Sequence, residues 1–450
     1  MLNSKSTYKY LDFVKFSQLY NWSVQYLNDS RIRFTTKYPL VQIKEFLTRN
    51  KTAITVQDEI IYQRITIRIH NGGVIPRDKV KGTEIGTKKQ FRVSAGQFIL
   101  SKIDARNGAM GIIPEKLDGA IVTQDFLAYN IDTTKINPQY LVLVSTTKQF
   151  MDFCQSCSSG TTNRQRVDED KFLNIRISLP PLAEQNKLVD EYHKRIDLIK
   201  CNNDKIYSIR LCIDKYLLKK LGCDSADKSD RTTNKKILTF LSFCDISRWD
   251  VFNLQYQLQS QLYKTIQLKK LVTCKPKYGA SYKTINKRSD IRYIRITDIN
   301  EDGTLNNNVV SANGYDSQYL LQENDFLIAR SGNTVGKTFL YKDKYGKAIY
   351  AGYLIKFVID TNLIDPLYLL YYTKSSIYKK WILANMRVSA QPNINSEQYL
   401  ESPIIVPPID KQREIVEYVS IMLQKIETLS NTTLKYESDA INNFEDQIFE

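Results

Sequence analysis

Eight residues in the second half of the chain, Ser331-Gly332-Asn333-Thr334-Val335-Gly336-Lys337-Thr338, fall one position short of a phosphate-binding loop. The pattern G-x-x-x-x-G-K-[ST] cradles phosphates on backbone N–H groups and needs its first glycine five positions before the second. Here Ser331 holds that position, and Gly332 is one residue too close to Gly336. The corresponding earlier stretch, Asp104 to Gly111, has no Lys-Thr. No aspartate behind an apolar strand stands out as a magnesium holder. A glycine-bearing loop with Arg330, Asn333, Thr334 and Lys337 is better suited to DNA phosphates and base edges.

Other catalytic constellations are weaker still. Glu169-Asp170-Lys171 has the E-x-K spacing of some nucleases, but a lysine-rich chain offers it by chance. Leu179-Pro180-Pro181-Leu182 and Val406-Pro407-Pro408-Ile409 lack the Asn or Asp before Pro-Pro, and the aromatic after it, of adenine-methylation motifs. The only histidines are His70 and His193, so no nucleophile–histidine pairing is suggested. Cys154-x-x-Cys157 has no second pair, whereas a structural zinc needs four ligands. The chain is predicted to be non-catalytic, with no metal or cofactor of its own. Seven scattered cysteines, no apolar run near 18 residues and no signal-peptide block predict a cytoplasmic protein with reduced thiols and no membrane contact.

What remains is a set of polar loops. Lys102, Arg106 and Asn107 lie in the first copy of the loop, and Arg330, Ser331, Asn333, Thr334 and Lys337 in the second. Two further turns precede the Pro-Pro pairs and contribute Asn163, Arg164 and Arg166, then Gln391 and Asn393. These side chains hydrogen-bond bases or phosphates, and they form the candidate DNA-binding set. The net charge of +16 fits such a role, because a basic surface binds DNA by releasing its counterions.

The elements that hold these loops are organised by a repeat. Leu179-Pro180-Pro181-Leu182-Ala183-Glu184-Gln185 returns as Val406-Pro407-Pro408-Ile409-Asp410-Lys411-Gln412, 227 positions later. Proline suits the first turn of a helix, and each copy runs into apolar residues at helical spacing. The first seam is Val189, Tyr192, Ile196, Ile199, Ile206, Ile213 and Leu217, with Asn203 and Arg210 interrupting it. The second is Val416, Val419, Leu423 and Ile426, followed by an irregular stripe through Tyr436 and Phe444. Seven-residue seams predict a paired, coiled-coil-like spacer. Residues 182–221 carry +3 and residues 408–450 carry −5, so opposite charge favours pairing and leaves +18 on the globular parts.

The repeat continues through those parts. Trp22 answers Trp249, and Val41-Gln42-Ile43-Lys44 answers Ile266-Gln267-Leu268-Lys269. Arg64-Ile65-Thr66 answers Arg295-Ile296-Thr297, and Ile136-Asn137-Pro138 answers Ile364-Asp365-Pro366. Strands are predicted over 63–70, 98–103 and 120–131, with counterparts over 291–299, 326–330 and 354–359. Single helices are predicted over 138–153 and 366–385. The expected segments are a globular domain over 1–181, a helix over 182–221, a linker and lead-in over 222–245, a second globular domain over 246–407 and a helix over 408–450.

Together these residues resemble the specificity subunit of type I restriction-modification systems. The resemblance rests on Ser101 to Ala109, Arg330 to Lys337, Ser389 to Asn395 and both Pro-Pro-x-x-x-Gln segments. It implies an α+β fold: two tandem mixed α/β target-recognition domains, each followed by a long helix. It also implies that the helices pack as an antiparallel coiled coil with pseudo-twofold symmetry. Each domain would read one half of a split site in double-stranded DNA. The helices would bind two methylation subunits, with restriction subunits joining them. S-adenosylmethionine, ATP and magnesium would belong to those partners. One departure is visible: Arg164-Gln165-Arg166 stands where the second copy has Gln391-Pro392-Asn393. Two other readings stay open, a stand-alone bivalent DNA-binding regulatory protein and a P-loop-like nucleoside triphosphatase using the 332–338 loop.

Overall fold

The computed structural model describes residues 37–159, 166–223, 260–285, 290–386 and 392–449. They form two compact units. One runs to Cys201 and takes in Thr432 onward, and the other is Asn202–Asn431. Trp22 and Trp249 lie outside the described residues, as does most of the predicted linker.

In the first unit a four-stranded antiparallel sheet runs in the order Leu47–Arg49, Phe126–Ile131, Phe98–Ser101, Met110–Ile112. Phe98, Leu100, Leu127 and Tyr129 form its buried face, packed on α1 (Pro138–Thr146) and α2 (Lys148–Ser156). The sequence predicts one helix here. Thr147 divides it, because its side chain accepts from the Phe150 N–H and caps a new helix. α1 begins as proline and an N-cap dictate: Asn137 accepts from the amides of Gln139 and Tyr140, and Pro138 follows. A short ladder, Leu40–Gln42 with Arg176–Ser178, leads past α3 (Glu169–Leu173) to α4 (Leu182–Lys220).

The second unit repeats this frame. Its sheet runs Lys277–Tyr278, Leu354–Val358, Asp325–Ala329, Thr338–Leu340. Phe326 faces Phe357 as Phe98 faces Tyr129, each 228 positions on. The helices are α5 (Pro366–Tyr372), α6 (Ser376–Asn385), α7 (Ser396–Leu400) and α8 (Ile409–Ile448). Ser375 divides the predicted 366–385 helix as Thr147 divides the first. Thr265–Gln267 pairs with Pro403–Ile405 before α8.

The side sheets differ. The first unit has five strands in the order Ala53–Thr55, Lys89–Arg92, Ile121–Val122, Ile61–Ile67, Val74–Lys81. The predicted strand over 120–131 is thus two strands in two sheets. In the second unit Arg292–Ile294 pairs in parallel with Ala348–Tyr350, and the predicted strand to Ile299 breaks off. Asp298 accepts from the Arg295 amide at 2.9 Å and from its guanidinium at 2.7 Å, turning Ile296–Asp298 into a 3-10 helix. Register also corrects one sequence match. Arg64 lies opposite Ile121, and the residue opposite Ile349 is Tyr293, so Arg295-Ile296-Thr297 is not the counterpart of Arg64-Ile65-Thr66.

Both long helices contribute to both units, and in each they run antiparallel. In the first unit Leu188, Val189 and Tyr192 share a core with Phe444 and Ile448. In the second, Leu217 shares a core with Ile415 and Val419, with half-buried Ile213, Val416 and Leu423 packed against it. Tyr216 and Tyr418 stack at 3.8 Å there, and Lys220 pairs with Glu414. Lys220 and Lys411 together hold the Glu414 carboxyl down to about 2. Ile426 is buried, while Ile199 and Ile206 are half-buried. Ile196 departs from the predicted seam: it is 38% exposed. The seam is best covered where a globular layer adds to the partner helix, and Ile196 has no such cover.

Candidate nucleic-acid interface

The frame presents the same turn twice, at one edge of each four-stranded sheet. In the first unit the Lys102 N–H donates to the Asp125 carbonyl at 2.7 Å, and the Lys102 carbonyl accepts from Val167 N–H at 2.9 Å. In the second, the Arg330 N–H donates to the Tyr353 carbonyl at 3.0 Å, and the Arg330 carbonyl accepts from Ile394 N–H at 3.0 Å. Backbone bonds thus fix equivalent positions while the side chains change. Lys102 becomes Arg330, Asp125 becomes Tyr353, and Arg166 becomes Asn393.

In the second unit the Arg330 guanidinium lies 4.9 Å from the centroid of the Tyr278 ring. Tyr278 is itself held by its hydroxyl, which donates to Ser396 Oγ at 3.0 Å and accepts from the Ser396 N–H at 3.2 Å. Arg330 Nε and Asn393 Oδ1 are buried without a partner, a donor and an acceptor at the root of one turn. Asn333 is exposed at its tip. Lys337 is paired with Glu301 at 2.9 Å and donates to the Ile299 carbonyl at 3.4 Å. Ser331 is buried, and its carbonyl accepts from Thr334 Oγ1 at 2.9 Å, so these two shape the turn.

This geometry excludes a phosphate cradle. Such a loop joins a strand to a helix and leaves its amides free. Here Asp325–Ala329 leads to another strand, Thr338–Leu340. The amides are spent inside the fold: Gly332 on Pro392, Val335 on Gly332, Gly336 on Ala329 and Lys337 on Thr334. Gly336 has φ +83°, and a Cβ there would meet the Ile382 side chain at 2.8 Å. Its glycine is required by packing rather than by a ligand.

In the first unit Asn107 is exposed, and its amide donates to Asp104 Oδ1 at 3.2 Å. Arg106 is half-buried. Arg166 makes a double contact with Asp125, at 3.1 and 3.4 Å. That pair is more than half exposed on the arginine side, so it holds the guanidinium weakly and can yield it to a phosphate. Asn163, Arg164 and Gln391 lie outside the described residues. Cys154 and Cys157 are free thiols in the core, and burial pushes Cys157 up to about 11. Among the described residues no cluster of His, Cys, Asp and Glu could hold a metal ion. No helix among them is long and apolar enough to cross a membrane.

Sequence reading missed a lysine. Lys374 lies half-buried beside a cavity of about 290 Å³ in the second unit, lined also by Asp214, Glu301, Asp302 and Tyr371. Its ammonium donates to the Thr338 carbonyl at 2.9 Å, and desolvation pushes its pKa down to about 7. The unfolded chain, with lysine near ~10.4, binds more protons across this window, so stability must rise with pH from about 7 to about 10. Lys374→Met is expected to flatten that rise in urea titrations at a series of pH values. An unchanged slope would count against the shift.

Comparison with known proteins agrees with the repeat. The sequence profile of the type I restriction modification DNA specificity domain matches twice, over residues 25–210 and 261–436. No curated protein sequence matches the chain. A chain solved in work on complex assembly and conformational transition of the type I R-M system is similar in fold. Its TM-score is 0.58 at 13% identity, over 92% of this chain and 98% of that one. The HsdS subunit from Thermoanaerobacter tengcongensis gives 0.42 at 14% identity, over 91% of this chain and 95% of that one. The S subunit from M. genitalium gives 0.48 at 12% identity, over 92% of this chain and 97% of that one. With the profile covering most of both repeats, the chain belongs to the type I restriction-modification DNA specificity family.

Proposed function

We propose that each unit reads one half of a split DNA site and that the two long helices carry methylation subunits. The observation behind this is the doubled turn: one backbone frame, repeated 227 or 228 positions on, with different side chains at Lys102/Arg330, Asp125/Tyr353 and Arg166/Asn393. A shared frame with changed side chains is what two readers of different sequences require. The basic net charge of +16 supplies the phosphate attraction. Exposed apolar residues on the helices, Ile196, Leu198, Leu211 and Ile421, offer contacts to partner subunits. Chemistry then resides in the partners, with S-adenosylmethionine, ATP and magnesium theirs, and the complex works in the cytoplasm, where its DNA is.

The test is a swap of residues 246–403 for those of a related protein, read by methylome sequencing and size-exclusion chromatography. The modified motif should change in one half only, with complex assembly retained. A change in both halves would overturn the division of labour. Within the second unit, Lys337→Ala should weaken DNA binding on all sequences and lower the salt slope by about one ion, whereas Asn333→Ala should relax one base position. Loss of ATP binding in Lys337→Ala would sink this assignment.

A further inference from the structure

The recognition turn of the first unit packs against a long β-hairpin, where among the described residues the second unit has only the short turn bridged by Ile299 and Leu305. Ile61–Ile67 and Val74–Lys81 form a hairpin that ends at Ile69-His70-Asn71-Gly72. The Gly72 N–H returns to the Ile69 carbonyl at 3.3 Å, and His70 and Asn71 have φ of +56° and +58°. Two consecutive left-handed residues make a type I′ turn, where Asn-Gly or Gly-Gly is usual and histidine is strained. Contact with the recognition turn holds the strain in place. The His70 N–H donates to the Asn107 carbonyl at 2.7 Å, and the Asn71 N–H donates to the Gly108 carbonyl at 3.2 Å. Gly108 makes room: a Cβ there would stand 2.5 Å from Asn71 Oδ1.

Every docking bond is a backbone bond. Among the described residues, no hydrogen bond engages the side chain of His70 or Asn71, and both are exposed beside Asn107. Arg68 and Ile69 are exposed on the same tip. A side chain fixed by strained backbone and free of hydrogen bonds within the fold is what base readout needs, because its geometry is set before binding. In the second unit the corresponding strand ends at Ile294, and Lys337 reaches Ile299 and Glu301 instead.

We infer that the hairpin tip is a second reading element of the first unit, with His70 and Asn71 contacting base edges beside those met by Asn107. This rests on the proposal that the first unit reads DNA. Asparagine matches adenine N6 and N7, and an imidazole can donate to or accept from a purine edge.

The experiment uses the full chain with its methylation subunits and a library of duplexes randomised at each base of the motif. His70→Gly with Asn71→Gly removes both side chains and leaves the left-handed backbone unstrained, so melting temperature should hold or rise. Discrimination should fall about 5- to 150-fold at one or two adjacent positions of the first half-site, with the second half-site unchanged. An unchanged profile would overturn the inference while the wild-type profile still shows two half-sites. Uniform loss across both half-sites with a lowered melting temperature would also overturn it, as a purely structural role. Asn107→Ala serves as the reference: it should relax a position adjoining the affected ones. A wild-type complex with no sequence preference would instead sink the underlying proposal.

Discussion

Gln412→Ala should lower the unfolding free energy of the second unit by about 3–5 kcal/mol, and Gln185→Ala should do the same to the first. Gln412 is 1% exposed. Its Oε1 accepts from the Asp365 N–H at 2.8 Å, and its Nε2 donates to the carbonyls of Pro407 at 2.8 Å and Leu363 at 3.4 Å. Gln185 accepts from Asn137 N–H at 2.8 Å and donates to the carbonyls of Pro180 at 2.8 Å and Lys135 at 3.1 Å. Truncation leaves one amide and two carbonyls unpaired in a dry site, each costing about 1–3 kcal/mol. Gln412→Glu should be worse, since a carboxylate still accepts but faces two carbonyls with no donor. Urea titration followed by circular dichroism reads the change. A loss below about 1 kcal/mol in both variants would mean that water or a shifted backbone replaces the bonds.

Phe444→Ala is expected to cost about 3–5 kcal/mol, and to destabilise the first unit although it lies near the end of α8. The ring is 4% exposed and meets Tyr140 edge-on at 5.8 Å, in a core shared with Leu188 and Ile448. Deleting residues 432–450 removes this wall altogether. Limited proteolysis should then cut within 37–201 at protease concentrations that leave 260–386 intact. Equal protection of both regions would refute the assignment of the distal segment to the first unit.

Much of the frame was legible because it is local. Asn137-Pro138 and Asp365-Pro366 announce helix starts through caps that act within three residues. The Pro-Pro repeats predicted α4 and α8. The role of Gln185 was not legible, since two of its three partners lie 48 and 50 positions back in the chain. Phe444 read as part of a failing seam because the domain it completes is far away in sequence. The candidate site was half legible: residue types marked the turns, but Ser331 and Thr334 turned out to shape the loop, and the 69–72 tip carried no motif. Ile69 was predicted inside a strand, yet it is 47% exposed at the tip.

The two glutamines bond only to main-chain groups, and so do the hydroxyls of Tyr140 on Ser178 and Tyr368 on Ile405, each to a carbonyl. Such groups are the same in every protein. A domain with a different surface can therefore plug into the same helix, provided its backbone follows the same course and its core still fits Leu188 and Phe444. The joint behaves as a standard fitting, indifferent to the surface of what is mounted on it. Recombination at the helix starts could exchange one reader for another in a single event, with no compensating change in the helix. New DNA specificities would then arise by reassortment of existing parts, at a rate set by gene exchange rather than by the slow accumulation of point mutations.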